Sequence, residues 1–119
     1  MRRDDVGIAT EELDGEIVRV ILDGSLDIAG AAAIDMQMNI IAGVNKRVMV
    51  DLSKVTFLGS MGLRSLLLPA RAILARGGTI VIFGANEPVR QVLKTSGIDT
   101  LIPVYPDFEQ ALGALRGPV

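Results

Sequence analysis

Residues 57–63 read FLGSMGL. They set one small hydroxyl, Ser60, between Gly59 and Gly62, with the long thioether of Met61 beside it. A serine stripped of bulky neighbours can act as a nucleophile, accept a phosphate or cap a helix. The nucleophile reading needs a base. The chain has no His, so no Ser–His–Asp triad can form. Lys46, Lys54 and Lys94 show no diagnostic spacing to Ser60, and Gly59-Ser60-Met61-Gly62 does not match G-x-S-x-G. The glycines of GGTIVIFGAN fit neither G-x-x-x-x-G-K nor G-x-G-x-x-G, so no nucleotide-phosphate loop is expected. With no Cys and no His, thiolate and imidazole metal sites are excluded, and no cofactor or metal is expected.

Two readings of Ser60 remain. If a helix begins at Met61, Ser60 is its N-cap and accepts a bond from an orphan backbone N–H, worth about 1 kcal/mol. Alternatively it carries a phosphate. A helix N-terminus accommodates an anion through its free N–H groups and macrodipole. The added charge of about −1.5 to −2 would repel an acidic or dry partner surface without unfolding the helix. A glycine in the first helical turn costs roughly 1 kcal/mol against alanine. A cap has no use for Gly62; close approach of another molecule does. Met61 is expected to face water, as at an interaction surface.

The surrounding pattern supplies the elements that must hold this loop. Residues 6–10 form a weak strand, 11–15 a turn at Asp14-Gly15, and 16–22 (EIVRVIL) a strand ended by Asp23-Gly24. Ala31, Ile34, Met38 and Ile41 mark a helix over 28–43, with Asp27 as a candidate cap and Met36 and Met38 as core filler. KRVMVDL at 46–52 has an apolar run, Val48-Met49-Val50, nearly continuous with Leu52, and reads as a strand buried on both faces. Leu63, Leu66, Leu67, Ala70 and Leu74 mark a second helix, which Pro69 interrupts and Gly77-Gly78 ends. TIVIF at 79–83 is a strand, 87–95 a short helix opened by Pro88 and closed by Gly97, 101–104 a fifth strand and 107–115 a last helix. The order ββαβαβαβα predicts one α/β domain over 1–119. Its sheet is mixed but mostly parallel, with an N-terminal hairpin and four helices.

Composition narrows the function classes. Half of the 119 residues are apolar, enough for a real core, and aromatics are limited to one Tyr and three Phe. The net charge of −2 carries no basic face, so no nucleic-acid partner is expected. No apolar run approaches the roughly 18 residues of a membrane span, and no apolar h-region follows Arg2 and Arg3. The absence of Cys fits a reducing cytoplasm. The first strand lies open to self-pairing, so a homodimer is allowed.

VMVDLSKVTFLGSMGLRSLL resembles the signature of the STAS domain family, in particular the bacterial anti-sigma factor antagonists, whose usual form is D-L-S-x-V-x-F-x-D-S-S/T-G-L. GSLDIAGA at 24–31 is similar to the family's G-x-L-D turn, and LKTSGIDTLIPVYPDFEQAL at 93–112 to its closing stretch. The resemblance implies no enzyme. It implies a binding module, phosphorylated on Ser60 by an anti-sigma factor that is also an ATP-dependent serine kinase, and reset by a phosphatase. The unphosphorylated form would bind the anti-sigma factor and free a sigma factor. Its partner-binding surface would comprise Ser25, Leu26, Asp27, Gly59, Ser60, Met61, Gly62 and Arg64. The resemblance also allows a second use, docking on a membrane transporter of the lipid-transport ABC type. The chain departs from the pattern where Gly59 replaces the usual acid and Met61 the usual serine or threonine. Asp27 would supply a compensating acid or cap its own helix.

Overall fold

The computed structural model describes residues 6–116. Its elements are β1 (Gly7–Leu13), β2 (Ile17–Leu26), α1 (Ile28–Val44), β3 (Arg47–Leu58), α2 (Ser60–Ala75), β4 (Thr79–Phe83), α3 (Glu87–Ser96), a 3₁₀ turn (Ile98–Thr100), β5 (Val104–Tyr105) and α4 (Phe108–Arg116). The sheet runs in chain order, β1-β2-β3-β4-β5. β1 and β2 form an antiparallel hairpin, and the other neighbours are parallel. The expected α/β fold, with its hairpin and four helices, is the observed one.

Strand alternation divides the interior in two. Val18, Val20, Leu22, Val48, Val50, Leu52, Ile80 and Ile82 face one side. There they pack on Ile34 and Met38 of α1, Leu66 and Ile73 of α2, and Val89 and Leu93 of α3. Ile17, Met49, Val81 and Phe83 face the other, under Ala111 and Leu115 of α4. Both faces of the central strands are covered, which is why they read as continuous apolar runs.

Several boundaries differ from expectation. β1 runs to Leu13, so the turn shrinks to residues 14–16. Asp23-Gly24 does not end β2. Gly24 adopts φ 106 and the β2–β3 register shifts on either side of it, so the pair bulges and continues. β3 likewise extends to Leu58 instead of stopping at Leu52. The helix α2 runs unbroken through Pro69, which is buried within it. Ile73, not Leu74, closes its buried stripe. The fifth strand is displaced to Val104–Tyr105, because residues 98–100 wind into a 3₁₀ turn after Gly97 at φ 83. Met38 is buried as expected, but Met36 is 74% exposed and fills no core.

Candidate functional site

Strand β3 delivers the serine. Leu58 is the last buried strand residue, Gly59 is extended at φ −97 and ψ −176, and α2 begins at Ser60 itself. Ser60 is therefore the first helical residue and not the N-cap. The reason is local: the Gly59 carbonyl already accepts the Leu63 N–H at 2.9 Å, closing the first turn one residue earlier than expected. The Gly59 N–H donates to the Leu26 carbonyl at 3.0 Å and ties the end of β2 to the mouth of α2.

The four helix starts differ. Asp27 Oδ1 accepts the Gly30 N–H at 2.8 Å on α1, and Asn86 Oδ1 accepts that of Val89 at 2.9 Å on α3. Asp107 Oδ1 accepts that of Gln110 at 2.9 Å at the start of α4. Among the described residues no side chain caps α2. Its first N–H groups and an exposed hydroxyl stand together at the positive end of the helix. The reading of Asp27 as a helix cap is borne out, and one of its carboxylate oxygens is thereby occupied.

The glycines around Ser60 serve internal packing, against the expectation that Gly62 clears space for another molecule. A Cβ on Gly62 would lie 2.6 Å from the Leu26 carbonyl oxygen, 2.8 Å from Leu26 Cβ and 2.8 Å from Leu58 Cδ1. Gly62 is buried, and its missing side chain lets α2 approach β2, not an outside molecule. A Cβ on Gly59 would meet the ring of Phe57 at 3.1 Å. Around the hydroxyl, Met61 is 41% and Phe57 52% exposed. Asp27 and Arg64 are also exposed, Ser25 is half-buried, and Leu26 and Gly62 lie beneath the surface. Phe57 was not singled out in the sequence. No local pattern signals it: Val55 and Leu58 are buried while both intervening residues, Thr56 and Phe57, are exposed, a break in strand alternation where the β2–β3 register shifts between Gly24 and Ser25.

Two further contacts hold the frame. Ser65 Oγ on α2 lies 2.5 Å from Asp35 Oδ1 on α1 and 3.1 Å from the Met61 carbonyl oxygen. Its one proton serves one acceptor at a time, and the contact with Asp35 pins the second turn of α2 to α1. On the sheet's opposite face, Asp51 of β3 is 2% exposed. Its Oδ2 accepts from Arg19 Nη2 at 2.7 Å and Nε at 3.3 Å, and its Oδ1 from Ser53 Oγ at 2.6 Å and N at 2.9 Å. The Arg19 guanidinium stacks 5.5 Å from the Phe83 ring centroid and 5.0 Å from that of Phe108. Burial pushes the Asp51 carboxyl up, but the Ser53 hydroxyl and N–H and the Arg19 guanidinium outweigh it and hold it below the usual carboxylate range.

Among the described residues no group of three or more His, Cys, Asp or Glu could hold a metal ion, and no helix is long and apolar enough to cross a membrane. The family model described as "STAS domain" matches residues 8–111. The chain is 29% identical over 112 residues to BtrV of Bordetella bronchiseptica, described as a candidate anti-sigma factor antagonist, covering 92% of this chain and 94% of that one. It superposes with a TM-score of 0.87 on the crystal structure of an anti-sigma factor antagonist from Mycobacterium paratuberculosis, at 26% identity over 98% of both chains. The Bacillus cell fate determinant SpoIIAA in its phosphorylated form shares the fold, with a TM-score of 0.70, at 20% identity over 92% of this chain and 100% of that one.

Proposed function

This chain belongs to the STAS domain family, and we propose that it is an anti-sigma factor antagonist whose docking surface is switched by phosphate on Ser60. The observation that carries the reading is the uncapped start of α2, where the exposed hydroxyl has no capping role. BtrV and the Mycobacterium protein, alike over nearly their full lengths, support the partner class. The partner is an anti-sigma factor with serine kinase activity. It transfers the γ-phosphoryl of ATP to Ser60 Oγ, the hydroxyl proton leaves, and ADP is released. A phosphatase hydrolyses the ester and restores docking.

The docking surface comprises Ser25, Asp27, Gly59, Ser60, Met61 and Arg64, shaped from beneath by Leu26 and Gly62. We add Phe57, whose exposed ring lies against Gly59, the residue before Ser60, and gives an apolar anchor there. The unmodified face sets the apolar Phe57 and Met61 beside small polar groups, with one charge of each sign at Asp27 and Arg64. A dianion there must be desolvated when the partner docks, which costs several kcal/mol unless the partner supplies a cation. The helix N-terminus stabilises the phosphate in the free protein, so phosphorylation favours release over unfolding.

Incubation with the cognate kinase and ATP, followed by peptide mass spectrometry, tests the assignment. One phosphate on Ser60 is expected, none in Ser60→Ala, and Ser60→Ala should still bind the anti-sigma factor. Recovery of a transport ATPase in place of an anti-sigma factor in a pull-down would overturn the reading in favour of docking on a transporter.

A further inference from the structure

The flank formed by β1 and α1 has no role in the switch. Among the described residues β1 is an edge strand whose only neighbour is β2, and none of them pairs with its outer row of N–H and C=O groups. Its sequence, GIATEEL, has no Lys, Pro or bulge to protect that edge. Beside it, α1 turns Met36, Ile40 and Val44 outward, four residues apart, at 74%, 59% and 75% exposure. Between strand and helix lies a groove of about 290 Å³ lined by Ile8, Ala9, Thr10, Gln37, Ile40 and Ile41. The only charged residue within α1 is Asp35, and it bonds to Ser65 on the α2 side. A helix this apolar on its outer side is built to be covered twice.

We infer that a second copy of this chain covers it. Two β1 strands pair antiparallel about a two-fold axis at Thr10, continuing the sheet, and the two α1 flanks pack over the join. The charge pattern favours this occupant. Centred on Thr10, the register sets Gly7 opposite Leu13, Ile8 opposite Glu12 and Ala9 opposite Glu11, so no glutamate stands directly opposite a like charge, and the two Glu11, diagonal neighbours, are each paired with Arg19 of their own copy. The α1 flank, Met36, Ile40 and Val44, carries no charge to repel its copy.

The lengths match as well: seven strand residues span about 24 Å and the helix's 17 residues about 25 Å. One two-fold therefore engages both strips. A foreign helix would leave the strand edge bare, and a foreign strand would leave Met36 and Val44 bare. A contact about 24 Å long and roughly 15 Å across covers about 360 Å² per copy, below the roughly 600 Å² per partner of stable specific interfaces, so a weak, concentration-dependent dimer is expected. Ser60 follows the end of β3, two strands inward, so pairing leaves the switch surface free.

Sedimentation equilibrium of the whole chain from about 5 to about 500 µM tests the inference, spanning the affinity of a small interface. The expected result is a monomer–dimer equilibrium. Thr10→Lys sets two ammonium groups face to face at the axis, and Ile40→Lys charges the flank. Each should weaken association by about tenfold or more. Both positions are exposed, and unchanged circular dichroism and melting temperature will show that each variant folds. Three results would overturn the inference. One is a monomer at every concentration. Another is a dimer that neither substitution weakens. The third is a monomer whose Ile40→Lys form loses a different protein partner, which would assign the flank to that partner.

Discussion

Asp51 and Ser60 lie nine residues apart, one within β3 and one just past its end, and they receive opposite treatment. Asp51 is sealed in the sheet with each carboxylate oxygen bonded and a guanidinium against it. Ser60 is exposed, and among the described residues no side chain caps the helix it opens. A buried charge must be fully partnered, so the surroundings of Asp51 are what stability requires. An exposed hydroxyl requires nothing, so bare surroundings at Ser60 cost the fold little and leave the group available. The first region answers to folding and the second to another molecule.

This contrast can be broken by experiment. The largest effect is expected on binding: stoichiometric phosphorylation of Ser60 should weaken anti-sigma factor binding by about 100-fold or more, read by calorimetry. Ser60→Asp carries less charge and should weaken it less. Next comes Arg19→Ala, which leaves the Asp51 carboxylate buried with only Ser53 as partner. It should cost about 3 kcal/mol in urea unfolding while leaving phosphorylation of the folded protein intact.

Asp51 also predicts an acid limb. Its carboxyl is held lower in the folded state than in the unfolded chain, so its contribution is full above the unfolded value near pH 4. That contribution disappears as pH falls through the folded value. Wild-type stability should therefore drop below about pH 4, and Asp51→Asn should flatten that limb.

Smaller effects sharpen the picture. Gly62→Ala drives a methyl to 2.6 Å from the Leu26 carbonyl oxygen and should cost about 2 kcal/mol, although alanine is the better helix former. Asp27→Ala removes a cap and should cost about 1 kcal/mol. Ser60→Ala should shift stability by less than about 0.5 kcal/mol, the usual limit for a surface change, while abolishing phosphotransfer. A larger loss would mean that Ser60 belongs with Asp51 as a structural group.

Much of the fold was legible because strands buried on both faces announce themselves as apolar runs, as in VMVDL and TIVIF. Helix starts were legible where Asp27 preceded a periodic stripe. The boundaries were not, where a bulge carried the chain past a turn signal. Asp23-Gly24 looks like a stop, but pairing with β3 resumes beyond it. Gly62 was legible as a glycine with a reason, but the reason lay in Leu26, a residue 36 positions earlier that no local reading can place beside it. Met36 and Met38 have the same local composition around them, and only the helix's orientation on the sheet separates the exposed one from the buried one. Asp51 was quoted within a motif, yet its partner Arg19 sits on another strand, 32 residues away.

The claim that Ser60 is the switch is tested most directly by one binding titration on chemically defined protein. Purified antagonist carrying phosphate on Ser60, verified by mass spectrometry, is titrated into the anti-sigma factor beside the unmodified form. Tight binding of the unmodified form and its loss on phosphorylation, with the melting temperature unchanged, is the predicted result. Equal affinity of the two forms would contradict it.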